Sequence, residues 1–144
     1  MESVEHPLNE RFRGYLPVIV DIETAGFDAN KNPLLEIAAV IVEYDSNQQL
    51  HITESHAAHI IPFESSILDQ SALKFTGIAP YHPFRLAVSE KDALGKLFNP
   101  IKLAVKRNEC TRAILVGHNP NFDINFLNAA LKRTQIKRSP FHPF

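Results

Sequence analysis

Hydrophobic residues in the first half of the chain are arranged in short runs typical of strands. Val18, Ile19 and Val20 form an uninterrupted β-branched run, which predicts a strand buried on both faces of a sheet. Residues 34–44 and 50–61 are also strand-like, and turn-forming segments separate the three runs. The first half therefore predicts an antiparallel three-stranded meander.

In the second half, apolar residues recur at intervals of three and four, which predicts helices. Asp69 and Gly77 bound a short helix, and Ser89 begins a longer one. Pro100 falls inside the longer helix and predicts a kink or a break there. Residues 113–116 form another buried strand, so the complete pattern predicts an α/β fold with a mixed sheet.

Two carboxylates lie at the end of the first strand. Asp21 and Glu23 are two residues apart, so an extended chain points both side chains to the same face. Two anions at this spacing repel each other and require a positive partner. That partner is either a Lys or Arg side chain or a divalent cation that prefers oxygen ligands.

A third carboxylate is predicted on the apolar side of a helix at residues 120–133, which Asn119 would cap. Asp123 shares a helix face with Phe126 and Leu127. A carboxylate facing a packed core is costly unless it is paired or ligates a metal. The alternative is an ordinary first-turn aspartate that bonds free backbone N–H groups.

Composition indicates one domain at residues 1–144, since 44% of the 144 residues are hydrophobic and 22% are charged. The longest apolar run, Ile37 to Val42, is too short to span a membrane, and the acidic first residues are unlike a signal peptide. Cys110 is the only cysteine, which excludes an internal disulfide and favours a reducing, cytoplasmic location.

The charges are segregated along the chain. Residues 1–50 carry three Lys or Arg against nine Asp or Glu, whereas residues 99–144 carry eight against two. This asymmetry suits an enzyme that acts on polyphosphate chains, although charge alone favours a solvated basic last helix as the simpler explanation. Three histidines on the third strand, His51, His56 and His59, are interpreted as surface residues, because no carboxylate or cysteine accompanies them at ligand spacing.

The carboxylate-containing segments resemble motifs of a known enzyme family. DIET at residues 21–24 and HNPNFD at residues 118–123 resemble, in order, the first two motifs of the DEDD exonucleases. The chain is most similar to the ribonuclease T family of these enzymes. That similarity rests on RFRG at 11–14, DIETAGF at 21–27, LLEIAA at 34–39 and KRSPFHPF at 137–144.

The resemblance implies a ribonuclease-H-like fold and 3′-to-5′ exonucleolytic trimming of RNA and single-stranded DNA ends, with transfer RNA and other stable RNAs as substrates. It also implies two Mg²⁺ ions, with Mn²⁺ as a possible substitute. Asp21 would bridge both ions, Glu23 would hold one and Asp123 would support the other.

The resemblance further implies how substrate is held. Terminal bases would lie against Thr24, Phe27, Phe75, Phe122 and Phe144. Basic residues would bind RNA on one subunit for cleavage in the other, which implies a homodimer; they are Arg11, Arg13, Arg112 and Lys137. Ser71 stands where the family has a glutamate that contacts the terminal base.

A third family motif, a histidine followed five positions later by an aspartate, supplies the general base and a fourth carboxylate. Residues 1–144 hold no such pair apart from His118 and Asp123, which belong to the second motif by their place on a strand-to-helix turn. We therefore expect a domain truncated at its C-terminal end that hydrolyses RNA poorly. The alternatives are a non-catalytic remnant that binds nucleic acid or dimerises, and a proofreading-type DNA exonuclease subunit.

Overall fold

The computed structural model describes residues 8–143 as one four-stranded sheet with three α-helices. The strands are β1 (Tyr15–Thr24), β2 (Leu34–Tyr44), β3 (Leu50–His59) and β4 (Arg112–Val116). The helices are α1 (Gln70–Thr76), α2 (Glu90–Arg107) and α3 (Pro120–Thr134). Single 3₁₀ turns lie at Leu8–Glu10, Phe12–Gly14 and Pro83–Arg85.

The strand order is β3-β2-β1-β4. The first three strands pair antiparallel, which confirms the predicted meander, and β4 returns parallel to β1 after α2 crosses over the sheet. At the outer edge of β4, the Ala113 N–H donates to the Pro140 carbonyl oxygen and the His142 N–H donates to the Ala113 carbonyl oxygen, both at 2.8 Å. The mixed α/β architecture is therefore confirmed.

The two faces of the sheet differ. Leu16 and Val18 on β1 are fully buried, and they belong to one apolar cluster with Leu94 of α2 and Phe126 of α3. On the opposite face, Ile19 is 38% exposed, and its β4 partner Val116 is 42% exposed. The prediction that β1 is buried on both faces is therefore wrong, because the described elements leave the middle of this face open.

Helix boundaries follow local side-chain chemistry. Asp69 accepts hydrogen bonds from the backbone N–H groups of Ser71 and Ala72, and Gly77 ends α1 with a φ of 72°. The Ser89 side chain caps α2 by accepting from the Asp92 N–H. These predicted caps are confirmed.

Two helix predictions need correction. Of the kink or break predicted at Pro100, the break is wrong, since α2 runs continuously from Glu90 to Arg107. Leu97, Phe98 and Ile101 are packed on both sides of the proline, and their burial stabilises the helix despite the missing donor. Asn119 does precede α3, but its side chain makes no capping hydrogen bond.

In residues 8–143, no helix has the length and apolar character needed to cross a membrane.

An ionic network around the nearly buried Glu43 carboxylate joins the end of β2 to the end of α2. Glu43 accepts from Arg107 Nε at 2.9 Å and Nη2 at 2.7 Å, from Asn108 Nδ2 at 2.8 Å and from Thr53 Oγ1 at 2.6 Å. The hydrogen bonds from Arg107 outweigh the effect of burial and lower the pKa of Glu43 to about 2. Arg107 also contacts the more exposed Glu54 at 3.1 Å.

We predict that E43Q lowers the unfolding free energy at pH 7 by about 2 kcal/mol. An unfolded Glu43 titrates near 4.5, so its stabilisation is complete above that pH and declines as the pH falls toward 2. Urea titrations across this range should show a shallower pH dependence in E43Q than in the wild type. E54Q is the control and should cost less than about 0.5 kcal/mol; equal pH slopes for E43Q and the wild type would contradict the prediction.

Candidate active site

The two carboxylates of the first motif lie on the open face of the sheet. Side chains along β1 alternate, so Asp21 is exposed, Ile22 is buried in the core and Glu23 is half-buried. The predicted placement of Asp21 and Glu23 on one face is confirmed. The core therefore anchors the strand while both carboxylates stay accessible.

Asp123 approaches the same strand from the first turn of α3, and its side chain is only 6% exposed. Its approach depends on Gly117, which follows β4. A Cβ at residue 117 would lie 3.1 Å from the Val20 carbonyl oxygen and 3.5 Å from Asp123 Oδ2. Gly117 was not identified as a site residue from the sequence; the signal that could have identified it is a glycine between a strand and a first-turn aspartate.

The charges of these carboxylates are not neutralised by basic side chains. In residues 8–143, Asp21, Glu23 and Asp123 form no salt bridge with Lys, Arg or His. Burial raises the pKa of Asp123, and the charge of Asp21 raises it further. Burial likewise raises the pKa of Glu23, followed by the charges of Asp21 and Glu36. The Lys or Arg partner that the sequence allowed for Asp21 and Glu23 is therefore not seen among the described residues.

The donor set fits a hard divalent cation, since it consists of carboxylate oxygens that repel one another. As the side chains stand, no three His, Cys, Asp or Glu residues of the described chain are grouped closely enough to hold a metal ion. Asp21 is exposed and Glu23 is partly exposed, so both side chains have room to change rotamer. Asp123 is the fixed member, because α3 holds it in the packed layer.

The loop after β1 is shaped by one buried amide. Asn32 is 8% exposed; its Oδ1 accepts from the Asp28 N–H at 2.9 Å and its Nδ2 donates to the Ile67 carbonyl at 2.8 Å. Gly26 has a φ of 151°, and a Cβ there would lie 2.2 Å from the Asn32 side chain. Gly26 was expected to permit a bend, whereas Asn32 was not identified from the sequence.

Arg133 at the end of α3 holds the same loop. Its Nη1 donates to the Ala29 carbonyl at 3.0 Å, and its guanidinium bonds both Glu90 carboxylate oxygens, at 3.1 and 2.8 Å. It also stacks 3.9 Å from the Phe63 ring centroid. The hydrogen bond from Arg133 to the Ala29 carbonyl fixes the loop that carries Phe27.

Three of the predicted aromatic residues come together. Phe27 and Phe122 lie 6.2 Å apart, and with Phe75 they line a pocket of about 340 Å³ that also includes Glu23 and Thr24. Phe27 and Phe75 are 86% and 92% exposed. The Thr24 hydroxyl donates to the Gly26 carbonyl, and the Ser71 hydroxyl at the pocket edge donates to Asp69. Phe144 lies outside the described residues.

The predicted basic residues lie at the other end of β1. Arg112 pairs with Tyr15, and the distance from Tyr15 to Asp21 is roughly 20 Å along the strand. Arg112 and Lys137 line a cavity of about 520 Å³ together with Lys102 and Arg138. Arg11 and Arg13 precede the same end of β1, where Arg11 donates to the Tyr44 hydroxyl at 3.2 Å. The structure therefore separates a basic region from the carboxylates.

Comparison with known proteins gives the class that this fold and site define. The Exonuclease (RNase_T) family model matches residues 18–144, so the chain belongs to this exonuclease family. Ribonuclease T from Marinobacter nauticus is 55% identical over 139 residues, which are 96% of this chain and 63% of that protein. The resemblance drawn from the sequence is thereby confirmed.

Solved structures agree on the fold. Escherichia coli exonuclease I in complex with a dT13 oligonucleotide matches with a TM-score of 0.64 and 17% identity, covering 90% of this chain and 25% of that one. The metal-free form of the exonuclease I complex with single-stranded DNA matches with the same score, identity and coverage. The predicted ribonuclease-H-like fold is confirmed by these neighbours.

D123N distinguishes a metal-ligating carboxylate from an ordinary first-turn aspartate. In EDTA, we expect D123N to raise the unfolding free energy by roughly 1 kcal/mol, because an amide removes a buried charge. Mg²⁺ should raise the melting temperature of the wild type, and it should raise that of D123N less because one of the two proposed ions loses a ligand.

The control for this experiment is D92N, which changes an exposed aspartate in the first turn of α2. It should lose about 0.3 to 1 kcal/mol, since a first-turn anion is favoured by the helix dipole. Destabilisation of D123N to the same extent, with no Mg²⁺ effect on the wild type, would support the ordinary helix-terminus role instead.

Proposed function

We propose that this chain carries the catalytic region of a metal-dependent 3′-to-5′ exonuclease that trims RNA and single-stranded DNA ends, including those of transfer RNA and other stable RNAs. The observation that carries the proposal is that Asp21 lies within electrostatic range of both Glu23 and Asp123, and that Glu23 lines the aromatic pocket. The match to the exonuclease family and to ribonuclease T supports the same chemistry.

The carboxylates would hold two Mg²⁺ ions, or Mn²⁺ in their place. When bound, these ions supply an activated water and stabilise the departing 3′ oxygen in an in-line displacement at phosphorus. By the family resemblance, Asp21 would serve both ions, and Glu23 and Asp123 would each hold one. The pKa values of Glu23 and Asp123 are raised first by burial and then by the charge of Asp21, and a bound cation would oppose both effects.

The pocket next to Glu23 would receive the terminal base. Phe27, Phe75 and Phe122 offer ring faces or edges, and stacking tolerates any base because every base has a π face. The Thr24 and Ser71 hydroxyl hydrogens are already donated within the protein, so these side chains have only acceptor capacity for a base. We infer that the pocket holds the terminal base by stacking more than by hydrogen bonding, and that it discriminates weakly between bases.

The basic region would bind the RNA away from its 3′ end. Arg112 and Lys137 lie roughly 20 Å or more along the sheet from Asp21, which is too far to contact the scissile phosphate of the same active site. This separation supports the arrangement that the family resemblance implies, in which one subunit of a homodimer holds RNA for the other.

We place the protein in the cytoplasm, in keeping with its single cysteine.

The third motif is not present in residues 1–144, and this chain spans 63% of the length of its ribonuclease T relative. We infer that residues 1–144 belong to one exonuclease domain and provide three of its four carboxylates. Turnover by these residues alone should be slow beside that of the M. nauticus protein.

The activity test uses a 5′-labelled single-stranded oligonucleotide and Mg²⁺. We expect slow removal of nucleotides from the 3′ end, loss of shortening in EDTA, and a decrease on the order of 10³-fold in D21N. E64Q, which changes an exposed loop carboxylate, should leave the rate unchanged. EDTA-resistant or internal cleavage, or equal rates for D21N and the wild type, would contradict the proposal.

The pocket is tested by binding of the same oligonucleotide in EDTA. F75A removes a ring surface worth about 1 to 3 kcal/mol per stacked base, so its Kd should rise roughly tenfold. F84A removes a similarly exposed ring, 86% against 92%, that does not line the pocket. An F84A effect as large as that of F75A would mean that exposed aromatic surface, not the pocket, determines binding.

A further inference from the structure

Glu36 lies beside the candidate metal site. In the sheet register Glu23 on β1 is opposite Glu36 on β2, and Glu36 is opposite His59 on β3. Residues directly opposite each other in antiparallel strands point to the same face. Asp21, Glu23, Glu36 and His59 therefore share the open face of the sheet.

This arrangement has a cost in the absence of a cation. Like charges directly opposite each other on neighbouring strands destabilise a sheet. The effect is visible at Glu23, where the charge of Glu36 adds to burial and to Asp21 in raising the pKa. A cation at the end of β1 would convert this repulsion into attraction, because Glu36 adds negative potential there.

His59 lies beside Glu36, on the side opposite Glu23. His59 Nδ1 lies 3.1 Å from Glu36 Oε1, and the two side chains are 47% and 36% exposed. Arg85 lies nearby, but its Nη2 donates to the Leu35 carbonyl at 2.6 Å and it forms no salt bridge with Glu36. The His59 contact is thus the polar contact that orients the Glu36 carboxylate among the described side chains.

We propose that Glu36 is a positioning residue for the divalent-cation site, oriented by His59 and acting electrostatically on Glu23 across the paired strands. This inference rests on the proposed metal-dependent function. It assigns Glu36 no direct ligation: its negative charge strengthens cation binding and restrains Glu23, and His59 acts only through Glu36.

The test measures Mn²⁺ binding by the loss of the free-ion EPR signal. E36Q should weaken Mn²⁺ affinity roughly 5- to 30-fold and, in EDTA, should keep or raise the melting temperature because a repulsion is removed. H59A should weaken affinity less, and E36Q/H59A should bind no more weakly than E36Q alone. E54Q is the charge-matched control, since Glu54 faces the helix layer and pairs with Arg107.

The outcomes separate this inference from the proposed function. Wild-type protein that binds no Mn²⁺ would overturn both. Wild-type binding together with an E36Q affinity within twofold of E54Q would overturn only the role of Glu36. A lower melting temperature of E36Q in EDTA with unchanged affinity would show that Glu36 has a purely structural role. Additive effects in E36Q/H59A would overturn the claim that His59 acts through Glu36.

Discussion

The absence of a side chain at residue 117 is the constraint on which the site depends. A Cβ there would lie 3.1 Å from the Val20 carbonyl oxygen, tighter than most real contacts, and 3.5 Å from Asp123 Oδ2. With glycine, the end of β4 and the first turn of α3 can lie directly against β1. Asp123 then reaches the strand whose alternation presents Asp21 and Glu23 to solvent while Ile22 stays in the core.

Two nearly buried carboxylates, those of Glu43 and Asp123, differ in whether basic side chains neutralise them. Glu43 is almost buried and is bonded by Arg107, Asn108 and Thr53, which makes it a structural link between β2 and α2. Asp123 is buried to a similar degree, yet no basic side chain of the described chain pairs with it. A backbone hydrogen bond lowers the pKa of Asp123 but does not offset burial and the charge of Asp21. This contrast with Glu43 agrees with the proposal that Asp123 holds a positive ligand.

Local patterns predicted much of the fold. Apolar runs located all four strands, and Asp69, Gly77 and Ser89 marked helix ends that the structure reproduces. The open face of β1 could not be predicted from residues 18–20. A β-branched run has the same sequence pattern whether or not a second layer covers the sheet.

The residues of the candidate site also differ in whether local sequence could predict them. Asp21, Glu23 and Asp123 could be selected because carboxylates at a strand end and on an apolar helix face are locally unusual. The positions of Glu36 and His59 depend on register between strands, and the fit of Asn32 against Gly26 depends on a loop closing on itself. These are non-local properties that spacing along the chain does not encode.

The parallel pairing of β1 with β4 joins residues from nearly opposite ends of the chain, from Tyr15 with Arg112 to Ile19 with Val116. The β1-β2-β3 meander needs only local contacts and can form early, whereas closing this long loop is entropically slow. Asp123 follows β4 along the chain, so it comes close to Asp21 only once β4 has paired with β1. A chain that has folded only its meander would therefore carry Asp21 and Glu23 without the third carboxylate.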